Sequence, residues 1–136
     1  MVDIAVSPLV MKDCVLNFPT DNYSAAASAI TCTPTTSAIT WTGLAGNTIT
    51  DASAATWAVA ITFAQDWETP NSLSQYLHAN EGTEVAMTFG PKSGSGPTFT
   101  VTVIVVPGAI GGTVNSVAET TVTLPAKGKP VLVPGV

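Results

Sequence analysis

The chain has 136 residues, a length that fits one domain with a single core. Only 10% of its residues are charged, and four lysines oppose nine acidic residues for a formal net charge of -5. This balance argues against tight nucleic-acid binding, which needs clustered cations. So few charges indicate a surface covered by other copies or partners, rather than a monomer wetted by Thr and Ser.

The N-terminal part of the chain predicts an extended arm followed by short strands. Residues 1–10 are apolar but include Asp3 and Pro8, a composition that favours an arm over a helix. Residues 11–18 alternate in polarity, as a strand does when one face packs on a core. The segments that follow are a turn at 19–22, an Ala-, Ser- and Thr-rich strand at 24–33 that ends at Pro34, and a short strand at 36–42.

A long loop is predicted next, over residues 43–55, with a brief strand near residues 48–50. Loops longer than about 12 residues are uncommon in small domains and are often functional. We therefore expect this segment to make contacts outside its own domain.

A strand, one short helix and a second strand are predicted between residues 56 and 90. In the first strand, bulky apolar residues alternate with Ala and Thr, which gives it one heavy face for a core. The heavy face consists of Trp57, Val59, Ile61 and Phe63. The helix is predicted over 72–80, with Ser72 and Gln75 as a capping box and Gly82 after its end. Its apolar stripe consists of Leu73, Tyr76 and Leu77.

Two more strands and an extended tail are predicted in the remaining residues. Residues 90–97 form a Gly- and Ser-rich surface loop, and the strands follow at 99–106 and 117–124. Three prolines and two glycines in residues 125–136 indicate an extended C-terminal arm.

The segments together predict a mostly β protein. The predicted division is an N-terminal arm at 1–10, a β-sandwich domain at 11–124 and a C-terminal arm at 125–136. Seven or eight short strands with one flanking helix are typical of a sandwich or a barrel.

The polar residues form no constellation for catalysis. His78 is the only histidine and has no Cys or Asp partner at metal-ligand spacing, while Asp66 and Glu68 are better explained as turn acids before a helix. Cys14 and Cys32 follow no signal peptide, so we expect reduced thiols that act as small buried hydrophobic side chains; whether they touch stays open. No apolar run reaches membrane-spanning length. We predict no catalytic, cofactor-binding or metal-binding residue, and no enzyme.

A series of motifs in the second half to two-thirds of the chain is distinctive in its order and spacing. The motifs are Gln65-Asp66-Trp67, Ser72 to Leu77, Asn80-Glu81-Gly82-Thr83, Phe89-Gly90-Pro91, Val106 to Gly112, and a Thr-rich last strand leading to Gly128-Lys129-Pro130. In this order they resemble the small tail tube proteins, or major tail proteins, of long-tailed, siphovirus-type bacteriophages.

The resemblance implies a structural protein of the virion. It implies a β-sandwich or barrel similar to the type VI secretion tube protein, with six copies in a ring and rings stacked into a hollow tube. Double-stranded DNA would pass through this tube into the host without specific binding. The implied partners are other copies of the chain and the tape measure, distal tail and tail terminator proteins, with no membrane. The implied location is the phage tail, after synthesis in the host bacterial cytoplasm.

Specific expectations follow for the assembled tube. The helix should pack outside its own sheet, away from the lumen, and residues 43–55 and both arms should reach neighbouring copies. Sheet edges left unpaired in one copy should pair in the ring. Carboxylates in the channel should repel phosphate, and lysine in place of Glu84 or Glu119 should slow or block DNA passage if these residues line the channel; the strand faces leave open which acid points inward. The alternative is an all-β capsid-decoration or receptor- or carbohydrate-binding module, which explains the strands and the long loop but not the few charges.

Overall fold

The computed structural model describes residues 2–11, 14–18, 21–91 and 96–134. Half of the predicted turn at 19–22 and the centre of the predicted loop at 90–97 lie outside these ranges. The elements in chain order are β1 Val15–Phe18, β2 Asp21–Asn22, β3 Ala27–Thr35, β4 Ala38–Thr42, β5 Thr48–Ala52, β6 Thr56–Ala64, α1 Leu73–Ala79, β7 Glu84–Gly90, β8 Thr98–Ile104, β9 Glu119–Pro125 and β10 Val131–Val133.

Two antiparallel sheets share one core. The larger sheet has the strand order β10-β8-β7-β1-β2, and the smaller one has the order β3-β6-β9. β4 and β5 form a separate two-stranded hairpin between β3 and β6. Every described strand pair is antiparallel, and both larger sheets supply residues to one hydrophobic cluster. This architecture confirms the predicted mostly β fold with one helix.

Strict alternation in β6 places its heavy side chains in the core. Val59, Ile61 and Phe63 are buried, as predicted. β7 and β8 supply the fully buried side chains of Met87 and Val103 to the same cluster. Because successive side chains of a strand point to opposite faces, the small residues of β6 are left on the outer surface of the sheet.

Trp57 contributes less to this core than its phase in β6 predicts. Its side chain is only half-buried. The reason is its position near the start of β6, opposite Pro34, where the sheet leads into the β4–β5 hairpin.

Helix α1 closes the connection between the two sheets. Ser72 caps its N-terminus by accepting a hydrogen bond from the Gln75 backbone N–H, and Leu73 and Leu77 are buried, as predicted. The predicted capping box is incomplete, because the Gln75 side chain does not return to Ser72 but donates to the Trp67 carbonyl at 2.6 Å. After the helix, Gly82 adopts a φ of 83°, a left-handed conformation that glycine tolerates best.

Pro34 does not end its strand, contrary to the prediction. β3 continues to Thr35, and Pro34 pairs with Trp57 of β6. Proline has no backbone N–H to donate, but an edge strand needs donors on its inner side only, and β3 is an edge strand of the smaller sheet.

Two segments predicted to be irregular contain strands. The brief strand expected within residues 43–55 is present as β5, which pairs along its whole length with β4. Within residues 125–136, predicted as an arm, β10 pairs with β8 at the edge of the larger sheet. Residues 2–10, by contrast, form no strand and are exposed.

The Phe63→Ala variant tests where the core lies. Since Phe63 is 1% exposed, we expect its truncation to lower the free energy of unfolding by about 3–5 kcal/mol. Trp57→Ala should cost less, because that side chain is half-buried. Thr40→Ala on the exposed hairpin is the control and should stay within about 0.5 kcal/mol of the parent chain. Urea unfolding measures all three, and a loss of less than about 1 kcal/mol for Phe63→Ala would contradict this assignment.

Candidate assembly surfaces

The outer surface of the smaller sheet is built from small side chains. Its members alternate with the buried residues of the same strands, and we call them the Ala/Thr face. They are Ala29, Thr31 and Thr33 on β3, Ala58, Ala60 and Thr62 on β6, and Thr121 and Thr123 on β9. The strand register sets Thr31 and Thr123 on either side of Ala60, and the hydroxyls of Thr62 and Thr121 are hydrogen-bonded at 2.8 Å.

The Ala/Thr face carries almost no charge. β3, β6 and β9 contain no lysine or arginine, and their single acidic residue is Glu119, which pairs with Ala64 at one end of the sheet. A polyanion gains little by contacting such a surface, since binding to phosphates depends on cations that release counterions. The face therefore offers no cation that would hold a phosphate backbone.

Glu84 lies on the other sheet and is already paired. Its carboxylate accepts a hydrogen bond from the Lys127 ammonium group at 2.7 Å, and both side chains are about half exposed. Of Glu84 and Glu119, only Glu119 therefore belongs to the sheet that carries the Ala/Thr face.

The β4–β5 hairpin carries an uncovered apolar surface. Trp41 pairs with Ile49 across the two strands, and Ile39 pairs with Asp51, so these four residues share one side of the ribbon. The side chains of Ile39, Trp41 and Ile49 are between 56% and 61% exposed. We call these three residues the apolar hairpin face. An isolated hairpin is marginally stable in water, so this face is suited to packing against another surface.

The prediction of a loop over residues 43–55 missed this hairpin. The glycines at positions 43 and 46 were the signal for it in the sequence. Gly43 donates to the Asn47 carbonyl at 2.8 Å, and Gly46 adopts a φ of 84°, which together form a tight turn. A turn of this kind between Trp41 and Ile49 aligns the two residues across the strands.

A glutamine side chain fixes the loop between β8 and β9. The Gln65 side-chain amide donates to the Gly111 carbonyl at 2.8 Å and accepts from the Gly111 N–H at 3.0 Å. The Trp67 indole N–H also donates to the Gln65 side-chain oxygen, at 3.2 Å. The loop exposes Ile110 and Val114, so these contacts hold two apolar side chains at the surface.

The acidic turn and the histidine form no joint site. The Asp66 carboxylate accepts hydrogen bonds from the backbone N–H groups of Glu68 and Thr69 at 3.0 and 3.1 Å. Hydrogen bonds from the Thr69 side chain and from these backbone groups lower the pKa of Asp66. Such bonding is typical of a turn. His78 is exposed and stands edge-on to Trp67, with ring centroids 5.9 Å apart.

The two cysteines are free thiols in separate parts of the fold, since Cys14 directly precedes β1 and Cys32 lies in β3. The Cys14 thiol donates to the Pro91 carbonyl at 3.2 Å, and burial raises the pKa of the Cys32 thiol. Both pack against the core. In the described ranges no group of three or more His, Cys, Asp or Glu residues could hold a metal ion. No helix of the described chain has the length and apolar character needed to cross a membrane.

The fold is similar to that of a solved chain from an extracellular contractile injection system, the PVC sheath-tube complex in its extended state. The similarity has a TM-score of 0.70 and covers 93% of this chain and 92% of that chain, at 11% sequence identity. A scan of protein-family models finds no match to this chain, and a search of curated proteins finds none either. At this identity the match shows the fold alone, and it agrees with the predicted mostly β fold class with one helix.

The Gln65→Ala variant tests how the β8–β9 loop is fixed. Removing the amide breaks both bonds to Gly111, and at a net worth of about 0.5–1.5 kcal/mol each their loss should speed amide hydrogen exchange at Gly111 roughly 5- to 150-fold. Ser116→Ala is the control, because its hydroxyl bonds to Thr113 within the same loop. Equal exchange in the Gln65→Ala variant and the parent chain would refute this role.

Proposed function

We propose that this chain is the tail tube protein of a phage or phage-like particle, a structural protein without enzymatic activity. Copies join into rings, six per ring as the sequence resemblance implies, and stacked rings form a hollow tube that delivers the genome into the host. The observation that carries the proposal is the fold similarity, at a TM-score of 0.70 over 93% of the chain, to a chain of a sheath-tube complex.

The exposed surface area supports assembly. A compact monomer of 13.8 kDa should expose roughly 6,600 Å². This chain exposes 9036 Å². The excess of about 2,400 Å² indicates segments that extend from the packed sheets, among them residues 2–10 and the β4–β5 hairpin, whose apolar side chains are exposed. Such segments are available to neighbouring copies in a ring or in a stacked ring.

The Ala/Thr face fits the wall of the bore. Its side chains are short, and its hydroxyls can bind water or one another. With Glu119 as its single charge it presents no cation to a passing phosphate backbone. In this arrangement α1, whose buried side chains lie on the opposite side of the smaller sheet from that face, stays away from the lumen.

The apolar hairpin face fits a contact with a neighbouring copy. Its three large side chains lack cover within the described chain, and the hairpin protrudes from the sheet that contains the Ala/Thr face. In such a tail, the chain would have the tape measure, distal tail and tail terminator proteins as further partners. The protein would then reside in the tail of the virion after synthesis in the host cytoplasm.

A second candidate is the tube of a contractile particle, which is surrounded by a sheath. The solved complex with the similar chain contains a sheath, whereas the sequence resemblance is to siphovirus-type tails and leaves open whether a sheath exists. Co-purification of tail particles separates the two candidates, since a sheath protein around the tube occurs only in the contractile type.

Electron microscopy of the concentrated protein tests the proposed function. We expect rings or tubes of uniform diameter, with a hollow centre and regular stacking. Size-exclusion chromatography over a range of concentrations provides the second measurement. A chain that stays monomeric at every concentration, with or without tail initiator proteins, would overturn the proposal.

Trp41→Asp tests the contact made by the hairpin. A charge in the apolar hairpin face should raise the concentration needed for tube formation by more than about tenfold, because truncated or charged anchors at the centre of an interface cost about 2 kcal/mol or more. Thr40→Asp places the same charge on the other side of the ribbon and is the matched control. Equal assembly of the two variants, measured by light scattering, would rule out this contact.

Glu119→Lys tests the wall of the bore. In assembled tubes it replaces the acid beside the Ala/Thr face with a cation in every copy, so DNA should be retained at low salt and released as salt rises. Glu84→Lys makes the charge change on the larger sheet, and Glu84→Gln, which removes the ion pair with Lys127 without adding a cation, controls for the loss of that pair. DNA retention can be followed by co-sedimentation, and equal retention in the two lysine variants would place the bore elsewhere.

A further inference from the structure

The two sheets meet along two lateral edges, here called seams, and the two seams are closed in different ways. On one side, Val103 and Ala126 form a β-bridge, and the Lys127 N–H donates to the Thr102 carbonyl at 2.8 Å. These bonds join the end of β9 to β8. On the other side, β3 faces the β1–β2 hairpin with a groove of about 550 Å³ between them. The open seam is therefore confined to the side of β3.

The groove is apolar at its base. Leu16 and Ile30 are buried there, and Cys14 and Ala27 are half-buried. Among the described residues that line it, none is charged. Within the described ranges, the backbone of residues 28–35 forms hydrogen bonds only with β6. The outward side of β3 thus combines a free strand edge with an apolar groove, which is the combination that accepts an added strand.

The N-terminal arm has the pattern of such a strand. Val2, Ile4 and Val6 are between 82% and 87% exposed, and they alternate with Asp3, Ala5 and Ser7. No described backbone or side-chain group of residues 2–10 takes part in a hydrogen bond within the chain. The arm is therefore an amphipathic extended segment whose partner is missing from its own fold.

The arm leads away from the groove of its own chain. Met11 lines that groove, but Ser7 and Leu9 line a separate, smaller one together with Pro91 and Pro97. None of residues 2–6 lines either groove. An occupant from a second copy is therefore favoured over the chain's own arm.

We propose that the arm of one copy, residues 2–7, adds as a strand to the free edge of β3 in a neighbouring copy. Its even-numbered side chains enter the groove over Leu16 and Ile30. Its odd-numbered side chains then lie on the outer side of the sheet, where Ala5 and Ser7 extend the Ala/Thr face and Asp3 adds one carboxylate. Pro8, which has no N–H for a further ladder bond, ends the added strand.

This inference rests on the proposed assembly and identifies one contact within it. The match of polarity on both sides of the strand is its main support. The side of the arm with large apolar side chains meets an apolar groove. The side with small side chains continues a surface of small residues. A register shifted by one residue would reverse both.

Cross-linking between two full-length chains tests the contact directly. Both chains carry Cys32→Ala. The first also carries Ile4→Cys and Cys14→Ser, and the second keeps Cys14 in the groove. Under mild oxidation of the mixture at assembling concentration, we expect a covalent heterodimer that neither chain gives alone. Ala5→Cys in place of Ile4→Cys is the matched control and should give at least about fivefold less, because residue 5 points away from the groove.

A second pair of variants tests the contact without cysteines. Ile4→Asp should raise the concentration needed for assembly more than tenfold, whereas Ala5→Asp should leave it within about twofold, since it adds a charge on the wetted side. Neither residue belongs to the core, so both variants should fold.

The outcomes separate this inference from the proposed function. If the parent chain forms tubes but the heterodimer is missing, equal in the two cysteine variants, or replaced by a cross-link within one chain, the arm contact is overturned and the tube stands. Equal assembly of Ile4→Asp and Ala5→Asp has the same meaning. If the parent chain never assembles, both fail.

Discussion

The alternation of side-chain size along β6 is the constraint on which the rest of the structure depends. β6 is the central strand of the smaller sheet, so its register with β3 and β9 sets both faces of that sheet at once. Val59, Ile61 and Phe63 fill the core, and the residues between them are Ala or Thr. Because the period is two, a slip of one residue would bury the small side and expose the heavy side.

The two sheets divide the surface into regions of different character. The smaller sheet presents short, nearly uncharged side chains, while the larger sheet carries the Glu84–Lys127 ion pair on its exposed surface. The β4–β5 hairpin and residues 2–10 extend beyond the two packed sheets. Both segments expose large apolar side chains. A protein built to remain alone would bury such residues or replace them. In the proposed tube, neighbouring copies cover them, which also accounts for the low charge of the sequence.

The core and the helix could be predicted from the sequence because they depend on local periodicity. Alternation in residues 57–63 and the spacing of Leu73 and Leu77 identify the buried sides directly. Pairing that joins distant segments leaves a weaker signal, so β10 was expected only as part of an arm. The prediction that a strand ends at Pro34 is wrong because the missing donor of a proline matters little on an edge strand, and sequence alone does not reveal which strand lies at the edge. The sequence contains even less signal for the proposed assembly surfaces, because these surfaces depend on which strands lack a neighbouring strand.

The scarcity of ion pairs has a thermodynamic consequence for the proposed particle. Contacts made by the apolar hairpin face and by backbone hydrogen bonds respond little to ionic strength, since screening acts on charges. Burial of apolar surface weakens on cooling. A tube held together in this way would tolerate both dilute and saline surroundings, and it would loosen first in the cold.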